Sequence, residues 1–292
     1  MNGKSPAGVV VGVDGSAPAA QAAEWAAREA ERRGCSLHLV HAVNTGTVTL
    51  SPRAGAAVTD LVLKNAQAVL DEQLDLLIGA HPSLRITGDV VPRDAAPAVL
   101  NAAEHAELAV LGTRGHGGFA SLLLGSVSLR VTAHAACPTV VVREVQPERL
   151  ADHLLVAIRD ERDTVALRFA LREAELLGLP VRALHTWHAA VADLGRMAPM
   201  VDELGEETAL HEQLLRRTVE AVQPEYPDTE LTADQLTGAA PAVLVEESRN
   251  AALLVIARHA PAPHFGLRLG GAVHAVLHHA HCPVAVVPLP AP

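Results

Sequence analysis

The chain has 292 residues, enough for two domains at about 150 residues each, and 49% of them are hydrophobic while only 2% are aromatic. So much Ala, Val and Leu excludes a disordered chain; two Trp, one Tyr and three Phe, with a formal charge of -10, exclude base-stacking platforms and oppose a polyphosphate backbone, so no nucleic-acid partner is expected. Three cysteines (Cys35, Cys137, Cys282) suit a reducing compartment, and neither a leader-type apolar segment nor an apolar run of about 20 residues occurs, so a soluble, cytoplasmic protein without membrane association is expected.

In chain order the first half predicts strand 9–13, helix 18–33, strand 36–43, a loop through Gly55, helix 60–78, strand 85–91, helix 95–105, strand 108–112, a glycine-rich loop, helix 126–134 and strand 139–142. The second half predicts strand 154–158, helix 164–177, strand 181–186, helix 201–222, strand 229–233, helix 240–250, strand 253–257, helix 271–279 and strand 284–287. Near-continuous apolar strands alternating with amphipathic helices describe a parallel sheet buried on both faces, so each half reads as a doubly wound α/β unit with five parallel strands.

The halves are copies. APAVL at 96–100 recurs at 240–244, and ACPTVVV at 136–142 recurs as HCPVAVV at 281–287. The offset is 144 from Ala96 to Ala240 and 145 from Cys137 to Cys282, near-constant along the chain, which is the mark of a duplication. Gln146-Pro147 breaks the pattern, dividing the chain into domains 1–146 and 147–292.

Ligands of open α/β sheets bind beyond the carboxyl ends of the strands, where strand order reverses. There the first half offers Asp14-Gly15-Ser16 and the loop GTRGHGGFASLLLGSV at 112–127. Gly112, Gly115 and Gly125 stand in a Gly-x2-Gly-x9-Gly array followed by Ser126. Bare glycine backbone lets main-chain N–H groups approach phosphate oxygens, and Ser126 opens a helix, where a hydroxyl can cap and the dipole favours an anion. Lys4 and Lys64 are the only lysines, and no Walker-type lysine motif occurs, which excludes that class of NTPase. Arg114 is the cation inside the loop.

Segments 9–16, 39–42, 112–127 and 135–138 together resemble the universal stress protein family in its tandem-domain, actinobacterial form, and the glycine array resembles its ATP-binding branch. The resemblance spans nearly the whole chain. It implies a Rossmann-like sheet of the adenine nucleotide alpha hydrolase kind and ATP as ligand, with Mg²⁺ as an admissible companion. Position by position it implies that Gly12 and Asp14 line the nucleoside, that the main chain at Ala42 meets the adenine, and that Gly112, Thr113, Arg114, Gly115, His116, Gly117 and Gly118 wrap ribose and phosphates. Gly125, Ser126 and Val127 would donate to the phosphates. It further implies a regulatory stress-response role without turnover and an intramolecular pseudo-dimer through the last strands, and leaves a homodimer open.

The second half departs from this pattern at the site. Arg159 stands for Asp14, Ala257 for Gly112, Ala260 for Gly115, Gly270 for Gly125 and Gly271 for Ser126, with Pro261 and Pro263 added. Methyl groups and fixed φ angles there predict a degenerate second site. The histidines at 278, 279 and 281 end a helix that leads into a strand, where polar residues suit the dipole, so no metal site is expected from them. Two rivals stand beside the regulatory reading: a slow ATPase or adenylyl-transfer enzyme, which lacks an acidic Mg²⁺ pair beyond Asp14, and a scaffold that binds no nucleotide, which the intact first-half glycines oppose.

Overall fold

A computed structural model describes residues 8–44, 52–115, 124–143, 151–188, 201–259 and 269–290, with side chains left out of account at 52–57 and 201–204. The chain divides into two compact units, Met1–Glu144 and Val145–Pro292.

In the first unit, β1 (Val9–Val13), β2 (Leu37–Ala42), β3 (Ile86–Val91), β4 (Leu108–Gly112) and β5 (Thr139–Val142) pair in the order β3-β2-β1-β4-β5, all parallel. Val9, Val11, Leu37, Leu39, Leu108, Val110 and Val140 are fully buried, as strands covered on both faces must be. The helices are α1 (Ala17–Arg33), α2 (Pro52–Ala80), α3 (Ala95–Ala102) and α4 (Ser126–His134). The Ser16 hydroxyl caps α1 by accepting from the Ala19 N–H, and Gly34 ends the helix at φ 63°, a left-handed turn that costs glycine nothing. Between those signals Ala22, Ala23, Ala26, Ala27 and Ala30 are fully buried. Side chains this small bring the helix close to the sheet and remove the need for aromatics.

The second unit repeats the plan with β6 (His153–Ile158), β7 (Val181–Trp187), β8 (Leu231–Thr237), β9 (Ala251–Arg258) and β10 (Val284–Pro288), ordered β10-β9-β6-β7-β8 and parallel throughout. Its helices are α5 (Thr164–Leu177), α6 (Val201–Glu220), α7 (Ala240–Glu247) and α8 (Gly271–His279).

Several elements differ in their bounds from the sequence reading, among them α7, which ends at Glu247 and not at 250, and β9, which begins at Ala251 and not at 253. Helix α2 begins at Pro52 and not at 60, because a proline opens a first turn without losing a bond and a single Gly55 lowers helix propensity without breaking the helix. Strand β8 runs to Thr237 and not to 233: it pairs with β7 from Leu231 to Thr237 as an edge strand, whose half-buried polar positions hide it from a search for continuous apolar runs. Helix α3 stops at Ala102 and closes with a 3-10 turn over Ala103–His105.

Among the described residues no helix is long and apolar enough to cross a membrane.

Candidate functional site

In the first unit the chain reverses direction across the sheet between β1 and β4, the neighbouring strands whose connections leave to opposite sides. The carboxyl ends of these two strands carry Asp14 and Gly112, so two sequence segments about a hundred residues apart meet at the switch point where doubly wound sheets take ligands.

After β1 the chain turns sharply. The Ser16 N–H (3.0 Å) and hydroxyl (2.6 Å) both donate to Asp14 Oδ1, and Gly15 sits at φ 78°. This turn holds the carboxylate still and directs Oδ2 at the loop after β4. There Gly115 is packed so closely that a β-carbon on it would collide with Asp14 Oδ2. Gly112 is equally constrained for another reason: a β-carbon would stand 2.6 Å from the Pro18 carbonyl oxygen, where β4 passes the first turn of α1. Gly12 packs beneath Leu111 and Val99, so its missing side chain already serves the contact between sheet and α3.

The two ends of the loop are joined at its base. The Gly125 N–H donates to the Thr113 carbonyl (2.7 Å), and the buried Ser128 hydroxyl donates to the Gly112 carbonyl (2.7 Å). The start of α4 is thereby fixed beside the end of β4. Ser126 does not cap this helix; Gly125 is the N-cap residue, no side-chain cap bond is made among the described residues, and Ser126 is exposed in the first helical position. Val127 is half-buried against the core beside α3, and Arg114 is exposed. Ala42 closes β2, beyond β1 from the loop, and His41 beside it bonds through Nδ1 to the Val13 carbonyl (3.0 Å), tying the two strand ends together. His116, Gly117 and Gly118 lie outside the described residues.

Sequence reasoning missed Ser128 and His41. Ser128 was legible only as a hydroxyl in the first turn of α4, whereas the comparison of the halves at the 145-residue offset gives the buried Val273 in its place and Ala257 in place of Gly112. The bond that pins the first loop therefore has no equivalent side chain in the second unit.

The same edge of the second unit is organised differently. Asp163, only 1% exposed, accepts at Oδ2 from the N–H groups of Arg159 (2.5 Å) and Asp160 (3.1 Å), while its Oδ1 lies 2.6 Å from His259 Nε2. Arg162 donates from its guanidinium to His259 Nδ1 (3.2 Å). An arginine cannot accept, so the neutral imidazole carries its proton on Nε2 and donates it to Asp163. By the same logic His185 Nδ1 donates to the Ile158 carbonyl (2.8 Å), and His185 Nε2 accepts from His211 Nδ1 (2.8 Å), whose ring stacks on Trp187. Ala260, Pro261 and Pro263 lie outside the described residues.

Burial pushes the His185 imidazole below its ordinary value, and neighbouring His211 adds to that, outweighing the pull of the Ile158 carbonyl and the Asp163 carboxylate. A histidine with a depressed folded-state pKa contributes stability above its unfolded value, near 6.5, that is lost as the pH falls through the folded value. Acidification from neutrality through that window is expected to lower the melting temperature of the wild type more than that of His185→Asn, whose amide keeps the bond to Ile158 but does not titrate. Equal pH dependence of the two melts would contradict this assignment.

A cavity of about 580 Å³, lined in part by Arg33, Cys35, Arg85 and Glu107, lies at the opposite edge, at the amino ends of the first unit's strands. Burial pushes the Cys35 thiol up, with Glu107 adding to it.

The chain matches the model of the universal stress protein family twice, over residues 8–143 and 151–288. Universal stress protein Rv2005c of Mycobacterium tuberculosis (strain H37Rv) is 30% identical, with 96% of each chain covered. Universal stress protein Rv2623 of the same strain is also 30% identical, with 98% of this chain and 97% of that one covered. The crystal structure of a universal stress protein from Archaeoglobus fulgidus DSM 4304 superposes with a TM-score of 0.69 at 18% identity over 96% of both chains, a likeness of fold. Two matches to one family model and full-length relatives on both sides of the duplication make this chain a tandem member of the universal stress protein family.

Proposed function

We propose that the first unit binds ATP and that the protein is a nucleotide-responsive regulator in the stress response, with binding and not turnover as its task. The observation that carries this reading is the packing of Gly115 against a carboxylate held in place by its own turn, at the strand ends where order reverses. A ribose hydroxyl donating to Asp14 and phosphates facing the uncapped start of α4 would use groups already fixed in position, at little ordering cost. Gly112, Thr113, Arg114, Gly115, Gly125, Ser126 and Val127 form the stem of that cradle; His116, Gly117 and Gly118 complete it in the resemblance. The main chain at Ala42 would meet the adenine. Mg²⁺ would enter with the phosphates, since Asp14 is the one carboxylate that the cradle's described residues supply.

The second unit is the degenerate partner in this reading. It has Ala257 for Gly112, Val273 for Ser128 and a buried Asp163–His259 pair at its strand ends. Titration of the purified chain with labelled ATP is expected to saturate at one nucleotide per chain, and mass analysis of small molecules released from natively purified protein is expected to find ATP. Two nucleotides per chain would overturn the assignment of a single site. ADP accumulating with time would make the protein a slow ATPase, and no nucleotide at any stage would make it a scaffold.

A further inference from the structure

We propose that Asp160 and His259 form a site for a divalent first-row transition ion at the strand ends of the second unit, with Asp163 as the carboxylate that orients the histidine. The one-per-chain ATP reading is not needed for this inference, since every group belongs to the second unit.

Asp160, Asp163 and His259 each offer a ligand atom, and the three atoms lie within 4.8 Å of one another. They come from two places far apart in sequence, the 3-10 turn over Glu161–Asp163 with its cap and the residue that follows β9. Their backbone supports are rigid. The Asp160 and Asp163 side chains form a reciprocal capping box, and Asp163 Oδ2 is anchored by two main-chain N–H groups. His259 Nε2–H is held by Asp163 Oδ1 at 2.6 Å, which leaves Nδ1 as the lone-pair nitrogen, 3.8 Å from Asp160 Oδ2. A ligating histidine that gives its other N–H to a buried carboxylate is the usual support of a protein metal site.

A cation already sits between these two atoms. The Arg162 guanidinium nitrogen is 2.8 Å from Asp160 Oδ2 and 3.2 Å from His259 Nδ1. Its side chain is 67% exposed, so it can swing into solvent without unpacking anything. Exchanging this single positive charge for a divalent ion takes the group of Asp160, Asp163 and cation from a net charge of minus one to neutral. The Nε2 side of the His259 ring stays on Asp163 Oδ1, and Nδ1 faces the ion. An imidazole nitrogen beside one carboxylate, completed by water, favours Zn²⁺ or Co²⁺ over Ca²⁺ and Mg²⁺, which take oxygen shells.

The stand-in role of Arg162 makes the test specific. The probe is Co²⁺, titrated into chelator-treated, desalted full-length protein and followed by visible absorbance and calorimetry. A His274→Gln/His278→Gln background removes the stacked histidine pair of α8, whose rings are 4.4 Å apart. One Co²⁺ per chain is expected, with affinity falling about tenfold or more in Asp160→Asn and in His259→Gln. In Arg162→Gln it should rise severalfold, because a competing cation is gone. Asp160 and Arg162 are partly or largely exposed, so their variants keep the fold even if His259→Gln does not. Absence of Co²⁺ binding, binding unchanged in Asp160→Asn, or weaker binding in Arg162→Gln would each overturn the site.

Discussion

Gly115→Ala is expected to abolish ATP binding by the first unit while leaving its melting temperature nearly unchanged. The added methyl group would occupy the space of Asp14 Oδ2, and Asp14 cannot yield cheaply, because Ser16 holds its other oxygen through two bonds. In the proposed binding mode, either the carboxylate would leave the nucleoside or the backbone at Gly115 would retreat from the phosphates. Gly115 is itself exposed and at negative φ, so the folded chain loses no core contact. Asp14→Ala removes the carboxylate directly. Loss of a charge-assisted hydrogen bond costs about 1.5–3 kcal/mol, or roughly 10- to 150-fold in Kd at 1.4 kcal/mol per tenfold. Gly115→Ala should cost at least as much, since it disturbs both the carboxylate and the loop. Arg159→Ala, at the matching position of the second unit, is expected to leave ATP affinity unaltered. Calorimetric titration of the three variants checks the set; ATP affinity within twofold of wild type in Gly115→Ala would remove the observation on which the nucleotide site rests.

The largest loss of stability is expected from Asp163→Ala. Its carboxylate is 1% exposed and serves the Arg159 and Asp160 N–H groups and the His259 ring together. Truncation leaves these donors without their acceptor at a site that water reaches poorly. A hydrogen bond to a charged group contributes about 1.5–3 kcal/mol, and this carboxylate accepts three of them. Asp163→Asn should lose less, because its amide oxygen still accepts from the main chain while one of its N–H groups faces the His259 donor. Chemical denaturation at neutral pH measures both, and a loss under about 1 kcal/mol for Asp163→Ala would show that the network is dispensable to folding.

Much of this was legible before any coordinates. The strand and helix order follows from apolar runs of strand length alternating with amphipathic helices, and the ends of α1 follow from Ser16 and Gly34. The helices over 126–134, 164–177 and 271–279 and the strands over 108–112 and 139–142 coincide with the residues that the pattern marks. The pattern fails where burial on both faces fails: β8 is an edge strand, and the start of α2 carries a glycine. The candidate site was legible in the glycine spacing and in Asp14, because those features follow from local backbone requirements. Ser126 was read as a cap, but helix α4 takes Gly125 in that position, since a cap is decided by dihedral angles and not by residue type.

The sequence by itself therefore determined the duplication, the parallel α/β plan of each unit, the family, and the divergence between Asp14 and Arg159 at matching positions. Each of these is written in local spacing or in the comparison of one half with the other. Only the tertiary structure decided which distant groups meet. It set Gly115 against Asp14, Ser128 under Gly112, and His259 against Asp163, a pair 96 residues apart. No spacing rule along the chain could have joined that last pair. Their meeting depends on β6 and β9 lying side by side in register, which is a property of the folded sheet.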